Sequence, residues 1–335
     1  MPEQRPFFTR IESLRGLGAF AVAGWHMSGF TLHGVQLFPH LTWAGIGSVQ
    51  NTLGKIAFVL LPGHAALMMF FVISGCVLRV SLQYGPQAWA AGVWRFAIAR
   101  VFRIFPIVVA GTLLAAWVGG WQTTATAEQP AMPLTISTLV ANMLLLDASI
   151  NGTLWALQLE VLMAPVIALC YFLERSYGTR VLIAAVVVTT ILSFSNAWTF
   201  WPPLSHNLFA FLLGMLVPTV GAQLAIGLSR ATAQGLLAVS AATLILVGQI
   251  VGFYSQFSAV AETYAAATLI GLITYRNDLR GVGFLDAWPF RRLGLSSGST
   301  TCCTDRCCCQ FRLRSRRSLS RSRGARRCLS SWAFW

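Results

Sequence analysis

Residues 154–173 read LWALQLEVLMAPVIALCYFL, twenty residues among which Glu160 is the one acidic or basic side chain. Twenty helical residues rise about 30 Å, the thickness of a bilayer's hydrocarbon core. Runs of the same kind recur at 14–33, 60–80, 104–121, 181–199, 204–220, 232–253 and 258–275, which predicts eight spans in all. The stretch 138–149 is apolar but short, and reads as re-entrant or interfacial. The expected fold is an all-α polytopic membrane helix bundle. Composition agrees: of 335 residues, 56% are apolar and only 10% charged, against roughly a quarter charged in soluble domains. That balance excludes a water-soluble globular chain, a disordered one and a disulfide scaffold. Arg5 and Arg10 precede the first run, but no small-residue cleavage site follows it, so no cleavable leader is expected.

Lys and Arg collect in cytoplasmic loops. Arg5, Arg10 and Arg15 precede the first span, and Arg79, Arg95, Arg100 and Arg103 lie between the second and third. Arg175 and Arg180 follow the fourth, Arg230 the sixth, and Arg276 and Arg280 the eighth. All of these fall on one side, and Lys55 is the sole exception. The reading is a multi-pass integral membrane protein with its N-terminus in the cytoplasm.

The net charge of +14 resembles a nucleic-acid signal, yet from Ser296 to Trp335 the chain carries nine Arg and one Asp. Six of its eight Cys also lie there. Three readings of this end stand open. A zinc site is poorly served by Cys302-Cys303 and Cys307-Cys308-Cys309, which lack paired ligand spacing. An Arg/Ser-rich tail would bind RNA or anionic headgroups. The third reading, which the residues fit best, is a shifted reading frame. Every Cys codon begins TG, so a frame one base earlier reads Leu, Met or Val. Ser codons of the TC type become Phe, Leu, Ile or Val, and Gly298 to Arg306 can spell Leu-Tyr-His-Leu-Leu-His-Arg-Pro.

Several residues could carry chemistry. His26 lies inside the first span, eleven residues after Arg15; that separation is about 20° beyond three turns, so both share one helix face, roughly 16 Å apart. Ionisable groups in a span are costly and face a polar cavity or a partner. A buried neutral imidazole can take a proton from a hydroxyl; equally, His26 is an interhelical hydrogen-bonding residue and Arg15 a snorkelling anchor. Glu160 needs a basic partner, whether for catalysis or for a structural ion pair. Arg100 and Arg103, in ARVFRIFP just before Pro106 opens the third span, face the same way and could grip phosphates; the alternative is ordinary anchoring. Ser74-Gly75 in FFVISGCVL is a small-residue site suited to close helix packing. His64 and His206 fall near span ends and receive no role, nor do His33 and His40. No metal-binding pattern, nucleotide loop or serine-hydrolase elbow is expected.

Five segments in order resemble the acyltransferase-3 family of integral membrane acyltransferases. They are RIESLRGLGAFAVAGWH, with an Arg-x10-His pattern in Arg15 and His26; FFVISGCVL; ARVFRIFP, with Arg-x-x-Arg; TLWALQLE, with Trp155 and Glu160; and FAFLLGMLVP. The resemblance covers about residues 7–294. It implies about ten helices, of which about eight are present, and places the chain in a bacterial inner membrane. It also implies transfer of an acyl group, often acetyl, from cytoplasmic acyl-CoA to a hydroxyl of a glycan, lipid-linked sugar or small molecule. On that resemblance His26 is the catalytic base or acyl relay, with Arg15 and Glu160 in the catalytic group. Arg100 and Arg103 serve the donor, and Ser74 and Trp155 support the site. The expected partners are membrane lipids, acyl-CoA as a donor substrate rather than a resident cofactor, and the acceptor, with no nucleic acid.

Two departures matter. An acidic residue often precedes FF in the second motif, where this chain has Met68 and Met69. The family's last two helices open on a Ser-Tyr-x-x-Tyr-Leu-x-His type of segment; here residues 295–335 stand instead, a non-native or disordered end after a 1–294 membrane acyltransferase domain. The shifted-frame spelling recovers such a segment. On that reading the chain as written lacks two spans and is expected to be unstable or inactive. A rival of another class is a proton-coupled transporter or flippase using the intramembrane His and Glu, although no paired broken helices are evident.

Overall fold

Several of the described helix ends follow local chemistry. The computed structural model describes residues 4–29, 49–83, 89–121, 135–150, 154–195, 201–253, 255–290 and 292. Its helices are α1 (Gln4–Gly29), α2 (Val49–Leu60), α3 (Gly63–Gln83), α4 (Trp89–Trp121), α5 (Ile136–Met143), α6 (Trp155–Tyr177), α7 (Thr179–Leu192), α8 (Pro202–Leu216), α9 (Ala222–Gly227), α10 (Arg230–Val251) and α11 (Gln256–Tyr275). A π-helical turn, Val217–Gly221, joins α8 to α9, and a 3-10 turn, Gly283–Asp286, follows α11. Ser229 caps α10 through Thr232 N–H at 3.1 Å, and the hydroxyl of Thr135 caps α5 through Thr138 N–H at 3.2 Å, each satisfying a donor that a helix start leaves open. Between α6 and α7 the chain turns at Gly178 with φ 84°, a left-handed value that glycine adopts without strain.

Among the described residues, five helical segments are long and apolar enough to cross a membrane: Thr52–Gln83, Trp155–Tyr177, Pro202–Gly227, Arg230–Val251 and Gln256–Tyr275. These coincide with five of the eight expected spans. The other three rest on shorter or charged segments. α7 has 14 residues, about 21 Å of helix, and the apolar part of α4 is Ile104–Trp117. α1 carries Arg10, Glu12 and Arg15. The short stretch expected at 138–149 contains the eight-residue α5 and a turn after it. Apolar side chains such as Ile250, 78% exposed, and Val239, 62% exposed, cover the outer face of α10, a face suited to lipid rather than water.

The chain divides into two units, Met1–Ser297 and Gly298–Trp335, and every described residue belongs to the first. The expectation for 295–335 lies outside the described residues.

The structure refines three local expectations. Pro106 stands near the start of the apolar part of α4, Ile104–Trp117, and inside the longer helix, where neighbours and local adjustment satisfy the backbone that lacks its N–H. Arg79 is not a loop anchor but a buried residue of α3, and Lys55, read as an exception among the loops, is likewise buried on α2 with its ammonium 5.5 Å from the Phe58 ring centre.

α3 packs against α1, α6, α8 and α11. Its contact with α1 is antiparallel: a Cβ on Gly18 would lie 3.0 Å from Met69 Cε, and one on Gly63 would lie 2.6 Å from Trp25 Cβ. The contact with α8 is closer still. A Cβ on Gly75 would stand 2.0 Å from the carbonyl oxygen of Phe211, and one on Gly214 would stand 2.1 Å from that of Val72. Small residues permit such backbone approach in membranes.

Arg10 joins both chain ends of the bundle. Its Nη1 donates to the carbonyls of Ile273 (2.9 Å) and Arg276 (3.1 Å), which the end of α11 leaves open, while Nη2 meets Asp286 Oδ2 at 3.0 Å. Ser13 adds a hydrogen bond to the Leu285 carbonyl at 2.7 Å. Arg10→Ala is expected to destabilise by about 1.5–3 kcal/mol, because charged hydrogen bonds to buried carbonyls are lost. Asp286→Asn should cost under about 1 kcal/mol, since Asp286 is 41% exposed and solvent screens that half of the contact. Thermal unfolding midpoints in detergent check the ranking; equal losses would contradict it.

Candidate active site

The antiparallel register of α1 on α3 pairs Gly18 with Met69 and Trp25 with Gly63. Continued towards the start of α1, it brings Arg15 level with Val72 and Ile73, next to Ser74. Arg15 is half-buried there, and its neighbours Ile11 and Leu14 share a core with Met69, Val72, Ile73 and Cys76.

From the third side, α6 brings Glu160. The Ser74 hydroxyl donates to Glu160 Oε1 at 2.7 Å, joining the second and fourth motifs of the sequence inside the bundle. Trp155, five residues earlier on α6, meets the Phe71 ring edge-on at 6.0 Å, and Phe71 stacks on Phe211 of α8 at 4.8 Å. Four of the five motifs therefore supply neighbouring elements: α1, α3, α6 and α8. The buried Met68 and Met69 occupy the position where the family often has an acid; Met69 packs on Gly18, so that position serves apolar contact. His26, Arg100 and Arg103 belong to α1 and α4, and their side chains lie outside the described residues.

A polar loop steadies the start of α6. Asn142, fully buried on α5, donates to the Thr138 carbonyl (3.0 Å) and to Asp147 (3.2 Å), and accepts from Ile150 N–H at 3.1 Å. Gln158, beside the Glu160 turn, donates to the Leu145 carbonyl at 3.1 Å. The Ser149 hydroxyl, with Ala148 N–H and the Asn142 amide, holds the Asp147 carboxyl below its ordinary range, because each stabilises the charged form. At the other end of the molecule, the hydrogen bond from the Arg276 guanidinium brings the Asp278 carboxyl down to about 2.

Two polar contacts between helices escaped the sequence reading. Arg79 forks onto Glu174, Nε to Oε2 at 3.0 Å and Nη2 to Oε1 at 2.9 Å. His64 Nδ1 lies 2.6 Å from Glu262 Oε2. The signal was present in each case: Glu262 is an acid inside an apolar run and Glu174 closes another, and an acid in a span requires a partner. Which base it meets depends on helix packing. Among the described residues, no cluster of three His, Cys, Asp or Glu is placed to hold a metal ion.

A family model described as an acyltransferase domain matches residues 8–297 of the chain. No curated protein and no solved structure matches the chain.

Proposed function

We infer the reaction from one premise: the chain belongs to the acyltransferase-3 family of integral-membrane acyltransferases. The proposed reaction moves an acyl group, acetyl in the simplest case, from acyl-CoA to a hydroxyl of a glycan, lipid-linked sugar or small molecule. The observation that carries this reading is the 2.7 Å hydrogen bond between Ser74 and Glu160. It joins two family-like segments at the level of Arg15, inside an apolar bundle where a carboxylate is costly without a purpose.

In this proposal Glu160, oriented by Ser74, balances the positive charge on Arg15, and His26 stands about 16 Å further along the same face of α1. His26 is the base or acyl relay. Arg100 and Arg103, on the segment before the apolar part of α4, hold the phosphates of CoA with forked donors. Trp155 supports the Glu160 turn through Phe71. The N-terminus lies in the cytoplasm of a bacterial inner membrane, which puts the Arg pair on the donor's side.

The test is release of CoA thiol from acetyl-CoA by membranes carrying the full chain, as written and with its frame restored after residue 294. Glu160→Gln is expected to lower kcat about 100-fold, the order of loss when a charge inside the bundle is deprived of its counter-charge. Ser74→Ala, which removes one hydrogen bond and leaves the carboxylate, should lower it only about 3- to 10-fold. Acetyl-CoA left unconsumed by both forms, alongside protonophore-sensitive solute uptake, would replace this reading with a transporter.

A further inference from the structure

Beyond α11 the chain does not leave the bundle but lies across its end. Leu279, Val282 and Leu285 are buried in one core with Ile11 of α1 and with Ile270 and Ile273 of α11. Polar contacts fasten the same stretch at three points. Gln234 of α10 accepts from the Arg280 N–H at 2.9 Å and donates to its carbonyl at 3.2 Å. The Arg276 guanidinium donates to the Ala225 carbonyl at 3.0 Å, and Arg10 holds Asp286 at 3.0 Å. Because Arg10 also donates to the carbonyls of Ile273 and Arg276, Asp286 stands level with the last turn of α11. The spanning segment Gln256–Tyr275 ends at that level.

The face that this stretch turns away from the core carries a residue of interest at every fourth position: Arg280, Phe284, Trp288 and Arg292, all exposed. Phe284 is 52% and Trp288 67% exposed. The Arg292 guanidinium lies over the Trp288 ring, 5.1 Å from its centre, and Phe284 meets Phe290 edge-on at 5.2 Å. Phe284 and Trp288 each stand two residues from Asp286, hence within about 7 Å of its level. The charges do not cancel. Asp278 and Asp286 are taken by Arg276 and Arg10, and among the described residues no carboxylate meets the guanidinium of Arg280 or Arg292.

The rings and the free charges call for the same surroundings. Exposed rings at the end of a spanning helix are suited to the headgroup layer, where Trp is enriched. A guanidinium beside them forms forked hydrogen bonds to phosphate. An acidic protein would satisfy the arginines but gives no reason for the rings at this depth. Like charge disfavours the chain's own end as the occupant, since Ser296 to Trp335 holds nine Arg and one Asp. We propose that Arg280, Phe284, Trp288 and Arg292 form a docking surface for the anionic phospholipids of the surrounding membrane. The two guanidiniums take the headgroup phosphates, and the rings lie against the glycerol and the first acyl carbons. The surface stands apart from Ser74 and Glu160, and lipid binding to it does not depend on acyl transfer.

The experiment measures retention of radiolabelled phosphatidylglycerol by the immobilised full chain in dodecyl maltoside micelles, beside radiolabelled phosphatidylcholine. The wild type is expected to hold phosphatidylglycerol about 30-fold more tightly, the product for two arginines near a charged surface. Most of that preference should vanish at about 0.5 M sodium chloride, where exposed charges are screened. The double variant Arg280→Gln with Arg292→Gln should lose the preference while keeping the wild-type unfolding midpoint, because both side chains are exposed. Trp288→Ala should weaken both lipids alike, about threefold, since the ring does not distinguish headgroup charge. Equal retention of the two lipids by the wild type overturns the proposal, as does an undiminished preference in the double variant. Displacement of phosphatidylglycerol by inorganic phosphate would mark a free-anion site, and displacement by poly-glutamate an acidic protein partner; either result also overturns it. The salt dependence of the wild type tests the proposal without any variant.

Discussion

Arg79→Ala is expected to destabilise the bundle by about 3–5 kcal/mol, the usual cost of stripping one partner from a buried ion pair. Both side chains are nine-tenths or more buried, and the guanidinium grips Glu174 through two hydrogen bonds of 3.0 and 2.9 Å. Removal of the arginine leaves the carboxylate with the Thr179 hydroxyl at 3.3 Å as its remaining side-chain donor. The charge itself, rather than the lost contact, dominates the penalty. Replacing both partners tests this: Arg79→Met with Glu174→Leu should unfold within about 1–2 kcal/mol of the wild type, because an apolar pair of similar volume removes the desolvation problem. Unfolding midpoints of the detergent-solubilised variants decide it. A double variant as unstable as Arg79→Ala alone would show that the stranded carboxylate is not the cause.

Gly214→Val is expected to cost about 3 kcal/mol or more, at or beyond the upper end for overpacked cores. The added Cβ would stand 2.1 Å from the Val72 carbonyl oxygen, and Gly75 makes the reciprocal approach to the Phe211 carbonyl at 2.0 Å. The obstacle is backbone in both places, so no side-chain rotation relieves it and α3 and α8 must move apart. Because Ser74 adjoins Gly75 and Phe71 stacks on Phe211, such a shift also loosens the Ser74–Glu160 contact. Gly75→Val should therefore abolish acyl transfer as well as lower the unfolding midpoint. Gly235→Ala on α10 is the control: nothing lies within 4 Å of its Cβ position, and its effect should stay within about 1 kcal/mol. A Gly214→Val protein as stable as that control would refute the close crossing.

The apolar runs that announced the bundle were legible because a spanning helix must be apolar over a length set by the bilayer. That constraint is local, and five of the eight expected runs appear as helices long and apolar enough to cross. Local reading says less where a contact depends on another helix. Arg79 was counted among the loop charges, whereas a charge can enter a helical bundle when a neighbouring helix supplies a partner such as Glu174; Lys55 is buried beside Phe58 of its own helix. Pro106, read as the opening of the third span, lies near the start of that apolar segment but inside a longer helix, an interior position that membrane packing tolerates.

Ser74, Trp155 and Glu160 were singled out from motifs, but nothing in one dimension says that Ser74 and Glu160 are 2.7 Å apart. By itself the sequence determined the solvent and the chain's family: composition and run length exclude water as the surroundings, and the ordered motifs match over residues 8–297. Only the tertiary structure decided the pairings of Ser74 with Glu160, Arg79 with Glu174, Arg10 with Asp286 and His64 with Glu262. Their partners lie 86, 95, 276 and 198 residues apart. Hydropathy is a property of each residue and is written along the chain. A buried polar contact depends on which helix faces which and at what depth, and close approaches such as Gly75 on Phe211 set that geometry.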